Sequence, residues 1–262
     1  MYHIFEFQKK KMAQEKISMI TCYDFTSAKI IDKTNIDCIL VGDSVSMVVH
    51  GCHDTTGATM EMMALHTSAV AKGAKNKFII ADLPFASYRK SLSKTISAME
   101  VLIRAGAHAV KLEGASGNLN HIRHAVESGI PVMGHLGLTP QHINTLGGFK
   151  VQGKDESSQN KLLRDAKLLE EAGCFSLVLE CVPAELAKKI TNAISIPTIG
   201  IGAGLDTDGQ VLVMHDLLGL QTQFKPKFLK QYFNAESAFT DSINCFDSEV
   251  KTKQYPSVEH SY

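Results

Sequence analysis

The sequence predicts an α/β fold, a (β/α)8 barrel. Three observations carry the expectation: eight short apolar segments rich in Ile, Val and Leu, helical patterns between many of them, and a length of 262 residues. Single barrels of this kind need roughly 250 residues, so one domain, 1–262, accounts for the chain. An open doubly wound sheet made of the same units is the alternative topology.

The eight segments are 17–23, 37–42, 77–81, 107–112, 131–135, 176–180, 197–201 and 211–215. Most are continuously apolar, as strands covered on both faces require. After the third, Ile96, Met99 and Ile103 share one helical face and Gly106 stands where the helix would end. Leu162, Ala166 and Leu169 form a second stripe, with Ser157 or Ser158 as N-cap and Gly173 at the far end. The sixth segment runs into Pro183, expected as the first residue of the helix AELAKKI. The stretch after the seventh is Gly-rich, which predicts an irregular unit. An extension, 1–16, precedes the barrel. A polar tail at about 226–262 follows it, beginning with a helix expected to pack on the barrel and ending in loosely held residues.

An apolar content of 44% supports a large core. The 27 basic and 27 acidic residues cancel, which gives no long-range attraction to nucleic acid or anionic membrane. Six cysteines, at 22, 38, 52, 174, 181 and 245, form no C-x-x-C pair, and two lie in apolar runs. That pattern fits a reducing cytoplasm better than a disulfide framework. The N-terminus has no extended apolar core of a secretory signal and no run is long enough to span a bilayer, so a cytoplasmic location is expected.

Charged residues stand at the ends of otherwise apolar strands. CILVGDS ends with Asp43 and Ser44, FIIADLP with Asp82, AVKLEG presents Lys111 and Glu113, PVMGHLG presents His135, and SLVLECV presents Glu180. A buried charge without a partner is costly, so such residues belong where they meet a ligand, a metal or each other. In barrels that place is the C-terminal mouth. Lys111 and Glu113, two apart on one strand, project to the same side. Each residue also has a plainer reading: a helix cap for Asp43, a turn for Asp82, an exposed ion pair for Lys111 with Glu113, a satisfied polar residue for His135, a turn-ordering carboxylate for Glu180. Gathered at consecutive strand ends, they read better as one site.

Other chemistries find less support. His50, His53, His66, His121 and His124 form no H-E-x-x-H pattern, and no G-x-S-x-G elbow is present. The Gly-rich stretch 200–204 reads as a phosphate loop or as tight strand-to-loop geometry, with geometry favoured. Carboxylates without thiolates or clustered histidines suit a hard ion such as Mg²⁺, which polarises the carbonyl of a chelating 2-oxo acid.

Long, chemically unusual stretches then carry a resemblance: ITCYDFTSA, ILVGDS, HTSAVAKG, IADLPFASY, AVKLEG, GHLGLTPQ with GGFKVQGK, LVLECVP, IPTIGIGAG with DGQVLVMHDLLGL, and the ending YPSVEHSY. From near residue 10 onward the chain resembles the ketopantoate hydroxymethyltransferase (3-methyl-2-oxobutanoate hydroxymethyltransferase) family. The resemblance implies a Mg²⁺-dependent TIM barrel of the phosphoenolpyruvate/pyruvate type. It implies transfer of a hydroxymethyl group from 5,10-methylenetetrahydrofolate to 3-methyl-2-oxobutanoate, through a Mg-stabilised enolate, giving 2-dehydropantoate for pantothenate and coenzyme A. Carried over by motif, Asp43, Asp82 and Glu113 are the metal ligands, and Asp43, Ser44, Asp82 and Lys111 contact the oxo acid. Glu180 is the proton acceptor and His135 lies near the substrate. The family also implies a homo-oligomer, a decamer. One departure stands at 55–62: after GCHDTT the chain reads GATMEMM where the family has a slightly longer segment like LPVTLDEM, which bears on closure and folate contact.

A Mg-dependent lyase or carboligase of the same barrel type, acting on another 2-oxo acid, is the competing enzyme reading. A non-catalytic scaffold is the competing class, and it would be expected to have lost part of the charged set.

Overall fold

Aliphatic and β-branched runs form eight parallel strands, hydrogen-bonded in sequence order and closed by the first against the eighth. They are β1 (Ile17–Thr21), β2 (Cys38–Val41), β3 (Phe78–Asp82), β4 (Ala109–Glu113), β5 (Val132–Gly137), β6 (Ser176–Glu180), β7 (Thr198–Ile201) and β8 (Gly209–Leu212). The computed structural model describes residues 3–221 and 225–262. Closure settles the topology as a (β/α)8 barrel over the open sheet, since β1 pairs with both β2 and β8 and, among the described residues, no strand is left as an edge.

The helices are α1 (Ile4–Met12), α2 (Phe25–Ile31), α3 (Val45–Val48), α4 (Met60–Gly73), α5 (Leu92–Arg104), α6 (Leu119–Glu127), α7 (Ile143–Leu146), α8 (Glu156–Glu171), α9 (Ala184–Ala193), α10 (Met214–Leu218) and α11 (Ala235–Lys251). Among the described residues none is long and apolar enough to cross a membrane. Among the described residues no helix separates β7 from β8, as the Gly-rich sequence there predicts. Gly202 and Gly204 adopt positive φ in that stretch, in keeping with tight loop geometry.

The barrel interior is filled by Ile17, Met19, Cys38, Leu40, Phe78, Ile80, Met133, Val178, Ile199 and Val211. Phe7 of α1 closes one end. Its ring meets Phe78 at 5.5 Å and Phe175 at 5.1 Å, both edge-on, beside the N-terminal ends of β3 and β6. Helix α1, within the predicted extension, therefore plugs the bottom of the barrel, which leaves the opposite mouth for chemistry.

Three local expectations are corrected. Helix α8 is capped by Asp155, whose Oδ1 accepts from Ser158 N–H at 2.9 Å, not by Ser157 or Ser158. Asp155 has the extended backbone that an N-cap needs, and the two serines already lie in the first helical turn. Pro183 is likewise the N-cap of α9, with an extended ψ of 138°, and the helix begins one residue later. The eighth strand ends at Leu212 because its pairing with Ile17–Ile20 uses Gly209–Leu212, and Met214–Leu218 turns into α10. The divergent stretch 55–62 is a 3₁₀ turn, Thr55–Gly57, followed by the first turn of α4, which Thr59 caps through Met62 N–H.

The described residues divide into two compact units, 1–212 and 213–262. The second holds α10 and α11, the latter capped by Asn234. Phe239, Ile243, Phe246 and Val250 recur at helical spacing along α11 and are all exposed.

Candidate active site

The strand-end residues meet at the C-terminal mouth. Asp43, one residue beyond Gly42, points its main-chain N–H at Asp82 Oδ2 (3.1 Å), tying the end of β2 to the end of β3. The β3–β4 register sets Asp82 beside Lys111, and Lys111 Nζ lies 3.0 Å from Asp82 Oδ1. Two residues on, Glu113 faces the same mouth, and the next strand supplies His135 opposite it in register. His135 Nδ1 stands 3.5 Å from Glu113 Oε1 and 3.3 Å from Lys111 Nζ. Its Nε2 stands 3.2 Å from Glu180 Oε2 at the end of β6. Ser44 stands just before α3 and shares a 2.8 Å hydrogen bond with the Tyr23 hydroxyl. All seven residues predicted from the sequence are thus brought to one mouth.

Their burial is deep. Asp43, Asp82, Lys111, Glu113 and His135 are each at most 5% exposed, while the Glu180 side chain keeps 17% of its surface open. Burial pushes the Asp43 carboxyl well above the usual range, the Asp82 and Glu113 charges add to it, and Lys111 and Gln141 oppose. Burial also raises Asp82, against the pull of Lys111. Burial works to raise Glu113 too, but the imidazoles of His135 and His142, 3.5 Å and 3.6 Å away, outweigh it and hold the group at about 2. For Lys111 burial opposes the charge, yet Asp82, Glu113 and Asp43 together raise it. Burial and Lys111 disfavour protonated His135, and Glu113 and Glu180 overcome them, lifting it to about 9. Crowded carboxylates, partly neutralised, make a place that favours added positive charge.

Several contributors were not foreseen. Gln141, from the 3₁₀ turn Pro140–His142 after β5, donates its side-chain amide to Asp43 Oδ2 (2.7 Å) and its main-chain N–H to Glu113 Oε2 (3.1 Å). Tyr88 donates its hydroxyl to Gln141 Oε1 (2.7 Å). His142 Nδ1 lies 3.6 Å from Glu113 Oε2. Tyr23, just beyond β1, is a polar strand-end residue of the kind that exposed the others, and the same rule would have found it. Gln141 and Tyr88 lie on loops, where spacing says nothing about what they face.

The donor set fits a divalent cation. Asp43 Oδ1 has no hydrogen-bond donor among the described residues, and the buried Asp82 Oδ1 has no aligned one despite the nearby ammonium. Among the described residues no three His, Cys, Asp or Glu side chains close around one point.

The sequence pattern described as ketopantoate hydroxymethyltransferase matches residues 2–258. The chain belongs to the ketopantoate hydroxymethyltransferase family. It is an enzyme, a hydroxymethyltransferase, and the family implies a place in pantothenate biosynthesis. Among relatives of this family, the 3-methyl-2-oxobutanoate hydroxymethyltransferase of Coxiella burnetii (strain CbuK_Q154) is 60% identical over 98% of this chain and 97% of its own. That of Francisella tularensis subsp. tularensis (strain WY96-3418) is 58% identical over 100% and 99%. The barrel is similar to that of phosphonopyruvate hydrolase in complex with oxalate and Mg²⁺, with a TM-score of 0.64, 12% identity and coverage of 99% and 93%. It is also similar to phosphoenolpyruvate phosphomutase from Streptomyces platensis subsp. rosaceus, with a TM-score of 0.65, 11% identity and coverage of 96% and 88%. At such identities these two likenesses concern the fold alone, a (β/α)8 TIM barrel.

Proposed function

We propose that the mouth binds 3-methyl-2-oxobutanoate at a Mg²⁺ site of Asp43, Asp82 and Glu113, and that 5,10-methylenetetrahydrofolate donates the one-carbon unit. Bound there, Mg²⁺ would polarise the keto oxygen and acidify the adjacent C3–H. Lys111, held by Asp82, offsets the charge that the oxo-acid carboxylate brings to an acidic cluster. Ser44, fixed by Tyr23, offers a hydroxyl beside Asp43. Glu180 accepts the C3 proton, and His135 steadies the resulting carboxylic acid and carboxylate in turn. The enolate carbon then bonds to the donor's methylene carbon as one of its two C–N bonds breaks, and water displaces the second nitrogen, supplying the hydroxyl; 2-dehydropantoate and tetrahydrofolate leave.

The observation that carries this reading is the position of Glu180. It is a base at the rim, joined through His135 to a buried acid cluster that holds a lysine. A cleft of about 360 Å³ beside the mouth supports a second, larger substrate. It is lined by Arg89, Leu136, Gly137, His142, Leu146 and Leu162, and two of these, Gly137 and His142, also border Glu180 and Glu113. Its apolar walls, with Arg89 and Lys161 among the charged residues of the lining, suit an aromatic group that ends in a carboxylate.

A homo-oligomer, a decamer as the family implies, is part of the same proposal; the exposed apolar stripe on α11 supports it. The reducing cytoplasm is the proposed compartment, supported by six free cysteines.

The test is turnover of 3-methyl-2-oxobutanoate with and without Mg²⁺ and methylenetetrahydrofolate. Product only when both are present supports the proposal. Turnover of the oxo acid without folate would replace it with a lyase or carboligase.

A further inference from the structure

Gln141 lies 98 residues from Asp43 in sequence and reaches it from the far side of the mouth, 3% exposed. Its polar groups are all engaged. Nε2 donates to Asp43 Oδ2 at 2.7 Å and to the Leu83 carbonyl at 2.8 Å. Oε1 accepts from the Tyr88 hydroxyl at 2.7 Å, and the main-chain N–H donates to Glu113 Oε2 at 3.1 Å. The orientation of the amide is not free. A flipped amide would set its oxygen against the Leu83 carbonyl and the Asp43 carboxylate, two groups that only accept.

The consequence is an asymmetry within Asp43. Oδ2 is occupied by a buried, oriented donor, while Oδ1 has none among the described residues. Glu113 Oε2 is likewise held by the Gln141 main chain, while its Oε1 faces His135 Nδ1 at 3.5 Å. A carboxylate with one oxygen engaged is a better ligand through the other oxygen than through both. Ca²⁺ takes six to eight oxygens, often chelating both oxygens of a carboxylate, at about 2.3–2.6 Å. Mg²⁺ takes six at about 2.0–2.1 Å, with single carboxylate oxygens and retained water.

We infer that Gln141 makes Asp43 a one-oxygen ligand and thereby sets the preference of this site for Mg²⁺ over Ca²⁺, with Tyr88 holding the amide in place. Gln141 is a positioning residue: it acts through Asp43 and need not touch substrate. The inference rests on the proposed metal site at Asp43.

Binding of Mn²⁺ to the full-length protein, followed by electron paramagnetic resonance and competed with Mg²⁺ or Ca²⁺, tests it without turnover. Gln141→Leu should shift the Ca²⁺-to-Mg²⁺ affinity ratio toward Ca²⁺ by about tenfold, the scale of one hydrogen bond to a charged acceptor. Tyr88→Phe leaves the amide but releases its oxygen, and should shift the ratio the same way by less. Thermal denaturation checks that each variant is folded, and Tyr88→Phe decides if Gln141→Leu does not fold. An unchanged ratio in folded variants overturns the inference while leaving the metal site standing. A native protein that binds no Mn²⁺ overturns the metal site and the inference together.

Discussion

His135 Nε2 lies 3.2 Å from Glu180 Oε2 without an aligned hydrogen bond, so the rim carboxylate faces an imidazole that also faces Glu113. The proposed base therefore stands beside a basic ring above the acid cluster. Glu180→Gln preserves the size of the side chain but cannot take a proton. Exchange of the substrate's C3 hydrogen with deuterated water, followed by NMR without folate, should slow by roughly 10²–10⁴-fold. Oxo-acid binding should persist. Native exchange rates in this variant would return Glu180 to a structural role.

Gly137 decides where Glu180 can be. Its φ is +95°, and a Cβ there would come within 2.1 Å of the Glu180 carbonyl oxygen. Gly137→Ala should therefore combine backbone strain with displacement of β6, costing about 1–3 kcal/mol of stability. The C3 exchange rate should fall as well, with Mn²⁺ affinity little altered, because Asp82 lies on β3 and Asp43 just beyond β2. A variant with native melting temperature and exchange would show that the two strand ends move independently.

Asp82 and Lys111 are expected to fail in different ways. Asp82→Asn should weaken Mn²⁺ binding and nearly abolish turnover in a folded protein. Lys111→Ala leaves the Asp43, Asp82 and Glu113 charges buried with less compensation, and breaking such a pair costs about 3–5 kcal/mol. Added Mg²⁺ should restore part of that melting temperature, while oxo-acid affinity stays low. If Lys111→Ala melts and binds oxo acid as the native protein does, the ammonium has no part in the site.

His108 governs a pH response away from the mouth. Burial lowers its pKa, and its Nδ1 accepts the Ile79 N–H at 3.0 Å, which requires the neutral ring. A histidine depressed in the folded state stabilises fully above its unfolded pKa, and that contribution is lost as pH falls. The native melting temperature should drop more between about pH 7 and pH 5 than that of His108→Phe. At pH 7 the variant should be less stable by about 1 kcal/mol, for the unpaired Ile79 N–H. Parallel pH profiles would remove His108 from this role.

The barrel and the seven strand-end residues were legible in the sequence for one reason. Strand period and apolar continuity are local properties, and a charge interrupting such a run stands out against them. That logic places Lys111 and Glu113 on one side of β4, and the structure has both at the mouth. It was least secure at element ends. Asp155 rather than Ser157 or Ser158 caps α8, since several neighbouring residues are able to cap and only the backbone chooses among them.

What the sequence by itself determined was the set of charged side chains and the strands that carry them. Which distant groups would complete that set was decided only by the tertiary structure. Gln141 and Tyr88 sit on loops without periodicity, and their approach to Asp43 and Glu113 follows from barrel closure, strand register and the turn after β5. The physical reason is one of range. Side-chain spacing along a chain fixes which way a residue faces within its own element, whereas a hydrogen bond between residues 98 apart exists only once the whole barrel has closed.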